Sequence, residues 1–158
     1  MSQLPTRKSN RLASDQYRRA RPYFLTVCTL QHRCILSRVV PAPAGELARV
    51  ALTREGQIVR NSIEQIPAHY PYARVEKYVV MPNHIQLLLW LSSEPCPVSV
   101  SHIIQQMKGT VSKQIGAPTW QKGFYDHIIR TETDYREIWQ YIDNNPQKWA
   151  LDKFYQEV

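Results

Sequence analysis

The sequence predicts an α+β fold of the ferredoxin-like kind, an antiparallel sheet with helices packed on one face. Three observations carry that expectation. Residues 23–30 are rich in aromatic and β-branched side chains, which suit a pleated, half-buried strand. Residues 74–91 hold two apolar runs split by Met81-Pro82-Asn83, the pattern of a hairpin. Apolar residues recur at helical spacing in three further segments, so the chain reads strand, helix, strand, strand, helix, strand, followed by a last helix.

Taken in order, residues 1–20 carry Arg7, Lys8, Arg11, Arg18 and Arg19 with Asp15 as their one acid, and read as a basic N-terminal arm. Residues 21–158 then form a single domain. Residues 23–30 give a central first strand. After the Pro41-Ala42-Pro43-Ala44-Gly45 break, Thr53 caps a helix over 54–65 with Ile58, Val59, Ile63 and Ile66 on one apolar face, and Pro67 ends it. Strands follow at 74–80 and 84–91. Val100, Ile103, Ile104, Met107 and Val111 mark a second helix, stopped near residue 115 by Gly116 and Pro118. A turn at Trp120 leads to a fourth strand reaching Arg130. Thr131 or Thr133 then caps a last helix with Tyr135, Ile138, Trp139 and Ile142 as its core face, and Pro146 marks its end.

At 158 residues and 43% hydrophobic content, the chain can bury one core without disulfides. Its three cysteines share no CxxC spacing, which argues for reduced thiols and against a zinc ribbon. The longest apolar run, residues 85–91, is interrupted by Gln86 and far too short to span a bilayer. These features set aside membrane proteins and disulfide-stapled secreted domains, and a cytoplasmic, nucleoid-associated protein is expected. Twenty Lys plus Arg against 13 Asp plus Glu give a formal charge of +7, which favours a polyanionic partner, nucleic acid first.

The residues that carry chemistry fall in two places. Side chains alternate along a strand, so His84 and Gln86 project to the same side and offer two candidate metal donors on a stiff support. In the last helix Tyr141 and Asn145 are four residues apart and stack one turn above the other. Each pair has an ordinary structural explanation: a half-buried strand histidine, a packed tyrosine, a capping asparagine.

The motifs around them change that balance. Arg-Lys-Ser-Asn-Arg at 7–11, Tyr-Phe-Leu-Thr-Val-Cys-Thr at 23–29, Val-Met-Pro-Asn-His at 80–84, Trp120-Gln121 through Asp126-His127-Ile128-Ile129-Arg130, and Tyr-Ile-Asp-Asn-Asn-Pro at 141–146 together resemble the single-tyrosine HUH transposases, IS200-like enzymes. The branch they resemble most is the REP-associated tyrosine transposases. The resemblance implies a metal-dependent tyrosine endonuclease that cleaves and rejoins single-stranded DNA near hairpins through a 5′-phosphotyrosine intermediate. It places the nucleophile on Tyr141 and metal ligands on His84, Gln86 and Asn145. Gln86 stands where the family has its second histidine, so an imidazole is replaced by an amide oxygen, a harder and weaker donor. A ligand set without an anion fits Mg²⁺ or Mn²⁺ better than zinc.

DNA contacts are expected from Arg7, Lys8, Arg11, Lys108, Arg130 and His127, with Trp120 as a stacking platform. Tyr125 and Tyr135 are rival nucleophiles. A phenol ionises only near pH ~10, so Tyr141 needs a proton acceptor that the sequence does not identify. Two other readings stand beside the enzyme: a domesticated relative that binds DNA without efficient cleavage, and an RNA-binding ferredoxin-like domain. Whether one chain or a homodimer completes the site is open at this point.

Overall fold

The computed structural model describes residues 19–43, 46–92 and 96–149. Its elements are β1 (Pro22–Cys28), β2 (Ser37–Val40), β3 (Arg49–Leu52), α1 (Arg54–Glu64), α2 (Ile66–His69), β4 (Ala73–Val80), β5 (His84–Leu91), α3 (Val100–Ile115), β6 (Tyr125–Ile128) and α4 (Glu132–Asn144). Among the described residues, four strands form one antiparallel sheet in the order β4-β5-β1-β6, and β2 pairs with β3 as a separate hairpin. With that hairpin set aside, this is the α+β arrangement that the element pattern predicts. Arg7, Lys8 and Arg11 lie outside the described residues.

Local chemistry sets the helix ends. The side chains of Thr53, Ser99 and Thr131 accept from the N–H groups of Gly56, His102 and Asp134 at the starts of α1, α3 and α4, each such cap contributing about 1 kcal/mol. Gly116, at φ 85°, closes α3 in the left-handed conformation, which glycine adopts without strain. Pro67 does more than end α1: it sits in the first turn of α2, where its missing N–H has no partner to lose.

The sheet is covered on both sides. Ile85, Leu87, Leu89 and Leu91 of β5 join Tyr23, Leu25 and Val27 of β1 in a core with α1 and α3. On the opposite face Leu88, Val79 and Met81 pack with Ile138, Ile142 and Trp149, so α4 forms a third layer where one helical face is expected. The reason lies in β5, whose Leu87-Leu88-Leu89 leaves no polar side: a continuous apolar run marks a strand buried on both faces.

A bulge between Val75 and Lys77 in β4 reverses the alternation midway. Ala73 and Val75 face the α1–α3 core before it, and Tyr78 and Val80 do so after it. One inserted residue flips every later side chain, which turns Lys77 and Val79 toward α4. Lys77 then lies 4.4 Å over the Trp139 ring and 2.5 Å from the Asp143 carboxylate. The β2–β3 hairpin escapes the sequence reading because its strands are four residues each and flank a Pro- and Ala-rich break. It is tied down by Leu36, whose N–H donates to Pro82 O and whose carbonyl accepts from Thr53 N, both at 3.0 Å.

The start of α1 approaches this segment closely. A Cβ on Gly56 would stand 1.9 Å from the Leu36 carbonyl oxygen, whereas one on Gly109 in α3 meets nothing within 4 Å. Gly56→Ala is therefore expected to lose about 1–3 kcal/mol in urea unfolding, while Gly109→Ala gains about 0.5–1 kcal/mol. Equal responses would show that α1 does not rest on the hairpin.

Candidate functional site

His84 is set by the turn between β4 and β5. Met81 N donates to His84 O at 2.8 Å, closing a connection of only Pro82 and Asn83. Thr29 braces the turn from the end of β1: its N–H and its hydroxyl both donate to Asn83 O at 3.0 Å. Asn83 Nδ2 donates to His32 O at 3.3 Å, which leaves Oδ1 facing His84 Nδ1 at 2.9 Å. An amide oxygen accepts, so Nδ1 carries the proton and the ring's lone pair sits on Nε2. That is the tautomer of a ligating imidazole. The His84 side chain is fully buried, with the Trp149 ring 6.1 Å away.

Gln86 projects from the same side of β5, opposite Thr26 of β1. Its Oε1 accepts a hydrogen bond from Asn145 Nδ2, and both side chains are buried. This contact pins the end of α4 to the middle of the sheet. Ile138 and Ile142 point α4 at the sheet, so Tyr141 and Asn145, one turn apart, fall together on its edge toward β1. The Tyr141 ring meets Phe24 edge-on, centroids 6.1 Å apart, and remains 43% exposed. His84, Gln86, Asn145 and Tyr141 thus share one face of the sheet, the amides and imidazole sheltered and the phenol open to solvent. Among the described residues no group of three His, Cys, Asp or Glu has metal-binding form, so any ion here depends on the two amides.

The remaining candidates divide between layers. His127 lies opposite Phe24 on β6, on the Tyr141 side, with Nε2 2.7 Å from Asp134 Oδ2. Arg130 is exposed beyond the end of β6. Lys108 and Trp120 belong to the other layer. Lys108 Nζ donates to the carbonyls of Gln121 and Gly123 at 2.8 and 2.9 Å, bracing that loop, and half-buried Trp120 packs against the α1–α3 core. The structure does not bring either to the Tyr141 face. Of the rival phenols, Tyr125 is exposed and opposite Thr26. Tyr135 is wedged against Trp90 and Trp139, and burial, with the nearby Glu76 carboxylate, pushes its phenol up, making it the poorer nucleophile. Asn83, Phe24, Asp134 and Trp149 are neighbours that sequence reasoning misses, because strand register and helix docking decide them. Asn83 alone carries a local signal, beside the histidine in a two-residue turn.

This face pairs one imidazole and two carboxamides with a solvent-open phenol. No family model matches the chain. Over 94% of its length it is 29% identical to an uncharacterized protein of Haemophilus influenzae, covering 93% of that protein. It is 27% identical to the REP-associated tyrosine transposase of Escherichia coli, over 68% of this chain and 69% of that one. A putative REP-associated tyrosine transposase of Haemophilus influenzae is 24% identical, over 63% and 68%. Among solved structures, a REP-associated tyrosine transposase bound to a REP hairpin superposes with a TM-score of 0.65 at 24% identity, covering 87% of this chain and 73% of that one. A putative transposase from Deinococcus radiodurans gives 0.51 at 16% identity, over 85% and 97%. The chain is thus similar in sequence to REP-associated tyrosine transposases over about two thirds of its length, and it shares their fold. Among the described residues no helix is long and apolar enough to cross a membrane.

The buried amide contact has a measurable consequence. Asn145→Leu leaves the Gln86 oxygen enclosed without a donor and should cost about 1–3 kcal/mol in urea unfolding, part of which returns when Gln86→Leu is added. Strict additivity of the two substitutions would show that the pair does not couple α4 to β5.

Proposed function

We propose that this protein is a metal-dependent tyrosine endonuclease and strand transferase that cuts and rejoins single-stranded DNA beside hairpins through a 5′-phosphotyrosine intermediate. The observation that carries the reading is the shared face: Tyr141 stands solvent-open one helical turn from Asn145, which touches Gln86, two residues along β5 from His84. A phosphate laid on this edge meets the nucleophile and the donor set together. The formal charge of +7 and exposed Arg130 favour a polyanion, and the solved relative bound to a REP hairpin supports hairpin DNA as the ligand class.

The donors suit a hard divalent ion. His84 presents Nε2 with its lone pair because Asn83 holds the other nitrogen, and Gln86 and Asn145 supply amide oxygens, so Mg²⁺ or Mn²⁺ would be held by His84, Gln86 and Asn145. Such an ion, when bound, supplies charge neutralisation at a non-bridging phosphate oxygen. The chain's own part is distinct. Tyr141 oxygen attacks phosphorus as the bond to the 3′-oxygen breaks, and because the phosphotyrosine bond keeps the diester's energy, the 3′-hydroxyl can reverse the step without ATP.

A second reading is favoured by one contact. Gln86 and Asn145 already satisfy each other across the buried interface, as they would in a DNA-binding module that no longer cleaves. The RNA-binding alternative loses its platform, since α1 and α3 cover one face of the sheet and α4 packs over β4 and β5 on the other.

Incubation with Mn²⁺ and a hairpin-bearing oligonucleotide from DNA flanking the gene, followed by denaturing electrophoresis, separates the readings. Wild-type protein should form a covalent adduct. Tyr141→Phe should abolish it, a loss of at least about 10³-fold, with binding retained. Tight binding without any wild-type adduct establishes the module instead, and adducts that persist in Tyr141→Phe move the role to Tyr125.

A further inference from the structure

We propose that His127, held by Asp134, takes the proton from Tyr141 as the phenol attacks DNA. This rests on Tyr141 being the nucleophile. Phe24 is the meeting point: His127 lies directly opposite it on the neighbouring strand, where paired side chains project to the same side roughly 5 Å apart, and the Tyr141 ring packs against that same Phe24. On α4, Asp134 and Tyr141 are seven residues apart, two helical turns, and so line one edge. Asp134 reaches from that edge to His127 Nε2 at 2.7 Å, which turns Nδ1 to other partners. A carboxylate that orients an imidazole beside a hydroxyl nucleophile is the arrangement by which proteins activate weak nucleophiles.

Exposure fits the role. The His127 side chain is 53% exposed and Tyr141 43%, so substrate and a bridging water can reach both. Of the nearby groups, His84 is buried with Nδ1 on Asn83, Asp143 is paired with Lys77, and Glu137, one turn before Tyr141 on α4, is an exposed carboxylate and the rival acceptor. Among the described residues, α4 lines Asp134, Glu137 and Tyr141 along the edge that meets His127, β1 presents the uncharged Phe24, and β6 itself adds Tyr125 on the same face.

The step balances. As the phenol oxygen bonds to phosphorus and the P–O3′ bond breaks, the phenol proton passes to His127 Nδ1, directly or through one water, and the Asp134 carboxylate offsets the imidazolium charge. The departing 3′-oxygen takes a proton from solvent. On rejoining, the 3′-hydroxyl gives its proton to water and the imidazolium returns one to the leaving phenolate.

The test follows covalent adduct formation in a single turnover, with full-length protein, Mn²⁺ and a hairpin oligonucleotide, from pH 6 to 9.5. His127→Gln, which can still bond Asp134, should slow adduct formation by about 10²–10⁴-fold near neutrality, far more than the loss of any one DNA contact weakens hairpin binding. Its rate should keep climbing with pH where the wild-type rate levels off, and added imidazole should restore part of it. Asp134→Asn should give a smaller loss of the same kind. A wild-type rate and pH profile in His127→Gln overturns the proposal while leaving Tyr141 in place, as does a loss explained wholly by weaker binding. Absence of a wild-type adduct, or its persistence in Tyr141→Phe, overturns the nucleophile assignment and this proposal with it.

Discussion

The docking of α4 on the second face of the sheet is the constraint from which the site follows. Without it, His84 and Gln86 would be polar groups on one side of a strand, and Tyr141 and Asn145 would be polar groups on the edge of a helix. Ile138 and Ile142 supply the apolar part of that docking, each worth about 1.5–3 kcal/mol if fully buried. The Gln86–Asn145 hydrogen bond supplies the register. Apolar contacts alone tolerate sliding, whereas a buried amide pair is satisfied in one position and penalised in others. The same element therefore fixes the helix and assembles the chemistry.

The bulge in β4 serves this docking from the far edge. By reversing the alternation, it places Lys77 under Trp139 and beside Asp143, an anchor worth on the order of 1 kcal/mol from the cation–π contact and less from the exposed ion pair. The Thr29–Asn83–His84 chain of hydrogen bonds does for the imidazole what α4 does for the amides. Two rigid supports thus converge on one face of the sheet, over its interior strands. The phenol between them stays solvent-open.

Much of this was legible in the sequence, for identifiable reasons. Strong local signals placed α1, α3 and α4: Thr53 and Thr131 or Thr133 as caps, Gly116 as a stop, and apolar residues at helical spacing; the Ser99 cap emerged only with the structure. The pairing of His84 with Gln86 and of Tyr141 with Asn145 followed from two- and four-residue periodicity alone. The side of the sheet that α4 chooses did not, because it depends on β5 being apolar on both faces and on which helices already occupy the first face. The bulge at Glu76 was hidden for a similar reason, as nothing in Arg74-Val75-Glu76-Lys77 breaks an alternating pattern. Trp120 and Lys108 show the limit of reading single residues. A tryptophan and a lysine flanking a loop suggest a DNA surface, but here one ring packs on the core and one ammonium ties down carbonyls.

The central claim is that these four side chains form one ion- and phosphate-binding edge. Titration of the protein with Mn²⁺, followed by paramagnetic broadening of assigned NMR side-chain signals, tests it most directly. The account predicts that His84, Gln86, Asn145 and Tyr141 broaden first and together, while Asn61, Gln65, His69 and Gln106, which line the groove on the α1–α3 side, stay sharp. Broadening centred on that groove, with the Gln86 and Asn145 amides unaffected, would contradict it.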